Sequence, residues 1–106
     1  LLTCAGGLAN IFHMGDALGV ERARAFELFD PFKTEPTVSM RGAKIVRGDY
    51  VATFTLETAR KDARLMLESA NGQPMPVLGA IASRMDEMIA SGHGGLDLAV
   101  LAKPGV

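Results

Sequence analysis

The chain has 106 residues, enough for one domain around a single core and too few for two lobes. At 48% hydrophobic and 22% charged residues it has the make-up of a soluble globular domain, which excludes a disordered tail. Eleven basic against twelve acidic side chains give a net charge of −1 without basic clusters, which argues against a nucleic acid or a membrane surface as partner.

Only 6% of residues are aromatic and none is Trp, a composition that favours helices over a β-sandwich. The hydrophobic spacing predicts an all-α domain, a bundle of five to six helices with almost no strand. The first helix runs from Leu1 to about Leu18 and stops at Gly19. Its Gly6, Gly7 and Gly15 each cost about 1 kcal/mol relative to Ala, a cost that marks close backbone packing against a neighbouring helix or ligand. Cys4 lies in this apolar run and is expected to be a buried, inert thiol in a reducing, cytoplasmic compartment. Asn10, His13 and Asp16 interrupt the run, so it is too short to span a bilayer, and no basic region precedes it as in a signal peptide. Because the chain opens on Leu-Leu, it reads either as a trimmed start or as a piece of something longer.

A second helix fits Glu21 to Phe29, with Ala25, Phe26 and Phe29 inward and Asp30-Pro31 as the stop. Pro36 suits the first turn of a third helix, which reaches about Val46 and is closed by Gly48. Asp49 to Phe54 reads as an extended connector. Thr53 or Thr55 then caps a fourth helix that runs to Ala70 and ends at Asn71-Gly72. With Leu56 as zero, Ala63, Leu67 and Ala70 fall within about 40° and form the core stripe, while Lys61 lies at about 140° on the opposite face. Glu57–Lys61 and Arg64–Glu68 have the i,i+4 spacing of a solvated face. Pro74 and Pro76 open a fifth helix with Val77, Ile81, Met85 and Met88 one turn apart. Ser91 to Gly95 is a flexible break, and Asp97 caps a last short helix, Leu98 to Ala102.

No complete active site is visible. The Gly6-Gly7 pair lacks the strand and spacing of a phosphate-binding loop, and no serine sits in an elbow-like context. His13 and His93 have no ligand partners at metal spacing, so no metal site is expected. His13 and Asp16 are read as an ordinary i,i+3 contact.

Several short patterns nonetheless occur in a telling order. Phe54-x-Leu56 is followed by Lys61-Asp62, Leu65, Leu67 and an Ala70-x-Gly72 helix end. Ala17-Leu18-Gly19-Val20 precedes them, and Met75-Pro76-Val77 and Gly92-x-Gly94-x-x-Asp97 follow. Together these cover nearly the whole chain and resemble the C-terminal helical domain of the β-hydroxyacid dehydrogenases. That family includes 3-hydroxyisobutyrate dehydrogenase and, more distantly, 6-phosphogluconate dehydrogenase. Ala63, where the family usually has Leu, and Asn10, where it often has Glu, depart from the pattern.

The resemblance implies that residues 1–106 are one helical domain of a longer NAD(P)-dependent oxidoreductase acting on the CH–OH group of a small hydroxy acid. NAD or NADP would be held mainly by an N-terminal Rossmann domain outside this chain, and the family's catalytic lysine would precede Leu1. No catalytic residue is therefore assigned here. Lys61, Phe54 and Asp62 are implied as cofactor-side residues of the interdomain cleft, and the helices as a homo-oligomer interface. The domain would close the cleft and be inactive alone. The alternative is a stand-alone helical protein-interaction module that uses the Met-rich fifth helix (Met75, Met85, Met88) as its groove, whereas Met at helical spacing also serves as core filler.

Overall fold

A computed structural model describes residues 2–27 and 35–105. It is all helical: α1 (Leu2–Ala17), α2 (Arg22–Glu27), α3 (Glu35–Arg47), α4 (Leu56–Ala70) and α5 (Pro76–Met88) are followed by a π-helical turn (Ile89–His93) and a 3-10 helix (Leu98–Ala102). Among the described residues the only β-type pairing is an isolated antiparallel bridge between Thr55 and Asp97. Helices α1, α4 and α5 pack on one another, α2 docks on α1, and α3 lies against the 3-10 helix.

The ends of α4 show why it forms where it does. Thr55 is extended and its hydroxyl accepts from the Thr58 N–H at 3.1 Å. Asn71 (φ 47°) and Gly72 (φ 85°) turn the chain left-handed at the other end. Leu56, Ala63 and Ala70 are buried as the stripe predicts, with Leu67 half-buried. Ala59, Ala63 and Ala70, all small, are buried on the side of α4 that packs on its neighbours. The core sits at its N-terminal end, where Leu56, Met88 and Val100 are all but inaccessible to solvent. Met85 and Met88 are therefore core filler and not a partner groove.

The start of α5 is completed by α1. Pro76 occupies the first turn, and Met75 before it provides no side-chain cap. The buried Asn10 of α1 does so instead: its Oδ1 accepts the Leu78 N–H at 3.0 Å, while its Nδ2 donates to the Gly6 carbonyl at 2.8 Å. One turn earlier, Gly6 faces Val77 so closely that a Cβ there would lie 2.5 Å from Val77 Cγ2. The close approach expected of the α1 glycines is thus made by Gly6. Gly7 meets nothing within 4 Å, and Gly15 only reaches ordinary contact with Ala25 and Val20.

Several expectations are corrected. Cys4 is exposed, because it sits two residues before Gly6, about 200° around the helix from the face that meets α5. Phe26 is 64% exposed: Ala25 is the α2 residue turned toward Gly15, and its neighbour is rotated away. Phe29 and the Asp30-Pro31 stop lie outside the described residues. Asp16 pairs with Arg22 (2.6 and 3.2 Å) and not chiefly with His13, since the turn after α1 brings the guanidinium fork onto the carboxylate. The Ser91–Gly95 break is also partly helical. Within the π turn the Ser91 hydroxyl donates to the Glu87 carbonyl, and the backbone turns left-handed at Gly92 (φ 92°).

The contact between α1 and α5 yields a stability test. Gly6→Ala is expected to destabilise the fold by about 1–3 kcal/mol through overpacking, and Val77→Ala in the same chain to restore part of the loss. Asn10→Ala is expected to cost about 1–3 kcal/mol, because it orphans a donor of α5. Urea unfolding midpoints at constant m-value check both.

Candidate functional site

Residues 49–55 form no strand, and apart from the single bridge of Thr55 to Asp97 they have no ladder, so their backbone groups must be satisfied by other segments. The C-terminal segment supplies the partners. The Leu56 N–H donates to Leu96 O (2.8 Å), Glu57 N–H to Gly94 O (3.0 Å), Asp97 N–H to Tyr50 O (2.9 Å) and Leu98 N–H to Phe54 O (2.9 Å).

At the centre lies the carboxylate of Asp97, with no exposed surface. Its Oδ1 accepts from Thr53 N–H (3.1 Å), the Thr53 hydroxyl (3.0 Å) and Phe54 N–H (3.2 Å). Its Oδ2 accepts from Ala99 N–H and from Arg41 Nη1, both at 2.8 Å. Burial alone would raise the Asp97 pKa. The donors from Ala99, Thr53 and Arg41 outweigh it and hold the carboxyl well below its ordinary 3.8. Nearby, the buried Lys44 of α3 donates to Val51 O at 2.8 Å and to Asp49 Oδ2 at 3.3 Å. The Asp49 carboxyl is lowered by the Val51 N–H first and by Lys44 next.

This clamp places Phe54 at an apolar cavity of about 340 Å³ between α4, α5 and the 3-10 helix. Phe54, Ala63, Met66, Ile81, Leu98 and Leu101 are among its walls, and Asp62 is the charged residue among the described ones that line it. Of the three residues that the resemblance implies, Phe54 and Asp62 share the cavity. Lys61 does not line it. Its side chain is 55% exposed and reaches the site through Asp62, with Nζ 3.4 Å from Asp62 Oδ1. The expected Glu57–Lys61 pair is not among the ion pairs formed, whereas Arg64–Glu68 is (3.0 Å). Glu57 instead lies against Gly94, where an added Cβ would sit 2.7 Å from Glu57 Cγ.

Sequence reasoning missed Arg41 and Lys44 altogether and saw Asp97 only as a cap. The cap is real, but Asp97 and Thr53 are 44 residues apart, and no local pattern links them. Among the described residues no three His, Cys, Asp or Glu side chains converge as a metal site. No described helix is long and apolar enough to cross a membrane.

No protein-family model matches the chain, and no curated protein sequence does either. Among solved structures, the chain is similar to an imine reductase from Pseudomonas sp., with a TM-score of 0.82 at 18% sequence identity. The match covers 96% of this chain and 37% of that one, so the chain spans little more than a third of its neighbour's length. What the two share is the fold.

Asp97→Asn is expected to destabilise the domain by about 3–5 kcal/mol, since it removes one partner of a buried pair. The native carboxyl titrates below its unfolded value of 3.8. Its contribution is therefore complete above about pH 5 and is withdrawn as pH falls toward the native pKa. Urea titrations from pH 7 to pH 2 should show this acid loss in the wild type and a shallower one in Asp97→Asn.

Proposed function

We propose that this chain is the C-terminal helical domain of an NAD(P)-dependent oxidoreductase of the β-hydroxyacid dehydrogenase family, 3-hydroxyisobutyrate dehydrogenase-like and inactive alone. The observation that carries the reading is the fold match to part of an imine reductase, which falls on the stretch where the Phe54, Lys61-Asp62 and Asp97 patterns occur in family order.

The residues present suit the reactive end of a nicotinamide cofactor and not its diphosphate. Lys61 offers an accessible ammonium, Asp62 a carboxylate that can orient it, and Phe54 an aromatic wall. Among the described residues no strand precedes a glycine-rich turn, so the diphosphate falls to another domain. When bound, the cofactor supplies the hydride; the domain binds, orients and excludes water. The substrate is a small hydroxy acid, the catalytic lysine lies outside this chain, and the compartment is the cytoplasm.

The same reading makes the helices a homo-oligomer interface. Exposed apolar side chains such as Leu2 on α1 (88%) and Val46 on α3 (88%) are available to such an interface. The stand-alone interaction module is the weaker alternative, because two of its three groove methionines, Met85 and Met88, are in the core.

The complete protein its gene encodes should oxidise a 3-hydroxy acid with NAD or NADP. Lys61→Ala should raise the KM for the cofactor about tenfold, the effect of one lost charge-assisted hydrogen bond. Steady-state kinetics with 3-hydroxyisobutyrate and, in the reverse direction, with a cyclic imine as alternative substrate check this. Turnover of the imine alone would move the substrate class to C=N reduction, and no hydride transfer with either cofactor would overturn the reading.

A further inference from the structure

We infer that Arg41 is a positioning residue for the cleft: its guanidinium spans the buried Asp97 carboxylate and the face of Phe54, and so fixes that ring as a wall.

Arg41 projects from α3 with its side chain 18% exposed. Nη1 donates to Asp97 Oδ2 at 2.8 Å, and the guanidinium carbon lies 5.9 Å from the centroid of the Phe54 ring. The Phe54 backbone is already held on both sides. Its N–H donates to Asp97 Oδ1 at 3.2 Å, and its carbonyl accepts from Leu98 N–H at 2.9 Å. The ring itself packs against the core around Leu56 and Met88, and Arg41 covers it as well.

The choice of cation is informative. Neutralising Asp97 needs only a positive charge, which lysine would provide. A planar guanidinium can donate along its edge while its flat face covers an aromatic ring, whereas an ammonium meets both partners only as a point charge and covers less of the ring. Helix α3 contributes little apolar packing of its own, since Val38 and Val46 are 69% and 88% exposed. Arg41 ties it to Asp97 of the C-terminal segment and Lys44 ties it to Val51 O of the connector, so Arg41 links α3 to the cleft wall.

The role in ligand binding rests on the function proposed above; the holding of the ring does not. The test labels the complete protein with 4-fluorophenylalanine, and the Phe54 resonance is assigned by its loss in Phe54→Leu. Phe12, stacked under Arg22 at 5.5 Å, serves as an internal reference. In Arg41→Met the Phe54 resonance should shift by more than its linewidth while that of Phe12 stays in place. Arg41→Lys, which keeps a charge beside Asp97, should recover thermal stability more fully than it recovers the Phe54 signal.

An unmoved Phe54 resonance in folded Arg41→Met overturns the inference. If that variant does not fold, an unmoved resonance in Arg41→Lys does so. The kinetic arm separates the two readings. A several-fold rise in KM at steady kcat supports positioning at a working cleft. A displaced ring with unchanged KM supports the positioning role and overturns the assignment of the cleft to cofactor or substrate.

Discussion

A carboxylate without solvent is costly unless nearly every lone pair is answered, and the burial of Asp97 is the constraint around which this domain is arranged. Its donors come from three places: Arg41 on α3, Thr53 and Phe54 on the connector, and Ala99 in the 3-10 helix. Each segment is a poor structural unit by itself. The connector has no ladder, the 3-10 helix is a turn and a half, and α3 is largely exposed. One buried charge supplies what each lacks, and it does so in the low-dielectric interior, where charge-assisted hydrogen bonds are strongest.

The cleft follows from that clamp. Phe54 and Leu98 are joined backbone to backbone at the point where the connector crosses the C-terminal segment, and their side chains both face the cavity that α4 and α5 enclose. Asp62 enters it from α4 one turn beyond Thr58. Lys61, its neighbour in sequence, is rotated by about 100° and stays in solvent. Helix α4 therefore presents small and apolar side chains to the cavity and an exposed cation beside it.

Local periodicity was enough to read the helices. The α4 stripe of Leu56, Ala63, Leu67 and Ala70 and the Asn71-Gly72 end are short-range features found where the pattern puts them, with Leu67 only half-buried, and of the two threonines offered as the cap Thr55 is the one used. The same kind of reasoning failed for Cys4 and Phe26, because an apolar residue in a helix says nothing about whether a neighbour exists to cover it. Of the candidate site, Phe54 and Asp62 came to notice through a resemblance and not through any property of their own spacing. Arg41 was invisible, since an arginine on a mixed helix face looks like any solvated cation until the carboxylate 56 residues away is placed beneath it. Asn10, which looked like a departure from the family pattern, proved to carry a tertiary hydrogen bond.

That bond bears on how the chain reaches its fold. An α-helix is costly to nucleate, and one that opens on proline without a capping side chain begins with its first donors unanswered. For α5 the answer arrives from a residue 68 positions earlier, so its first turn is completed only when α1 docks. Secondary and tertiary structure are thus acquired there in one step, across a long loop whose closure entropy must be met first. Helix α4 is less dependent: Thr55 answers the Thr58 N–H and Asn71 closes its other end from within the chain's own neighbourhood, and only the Leu56 and Glu57 donors wait for the C-terminal segment.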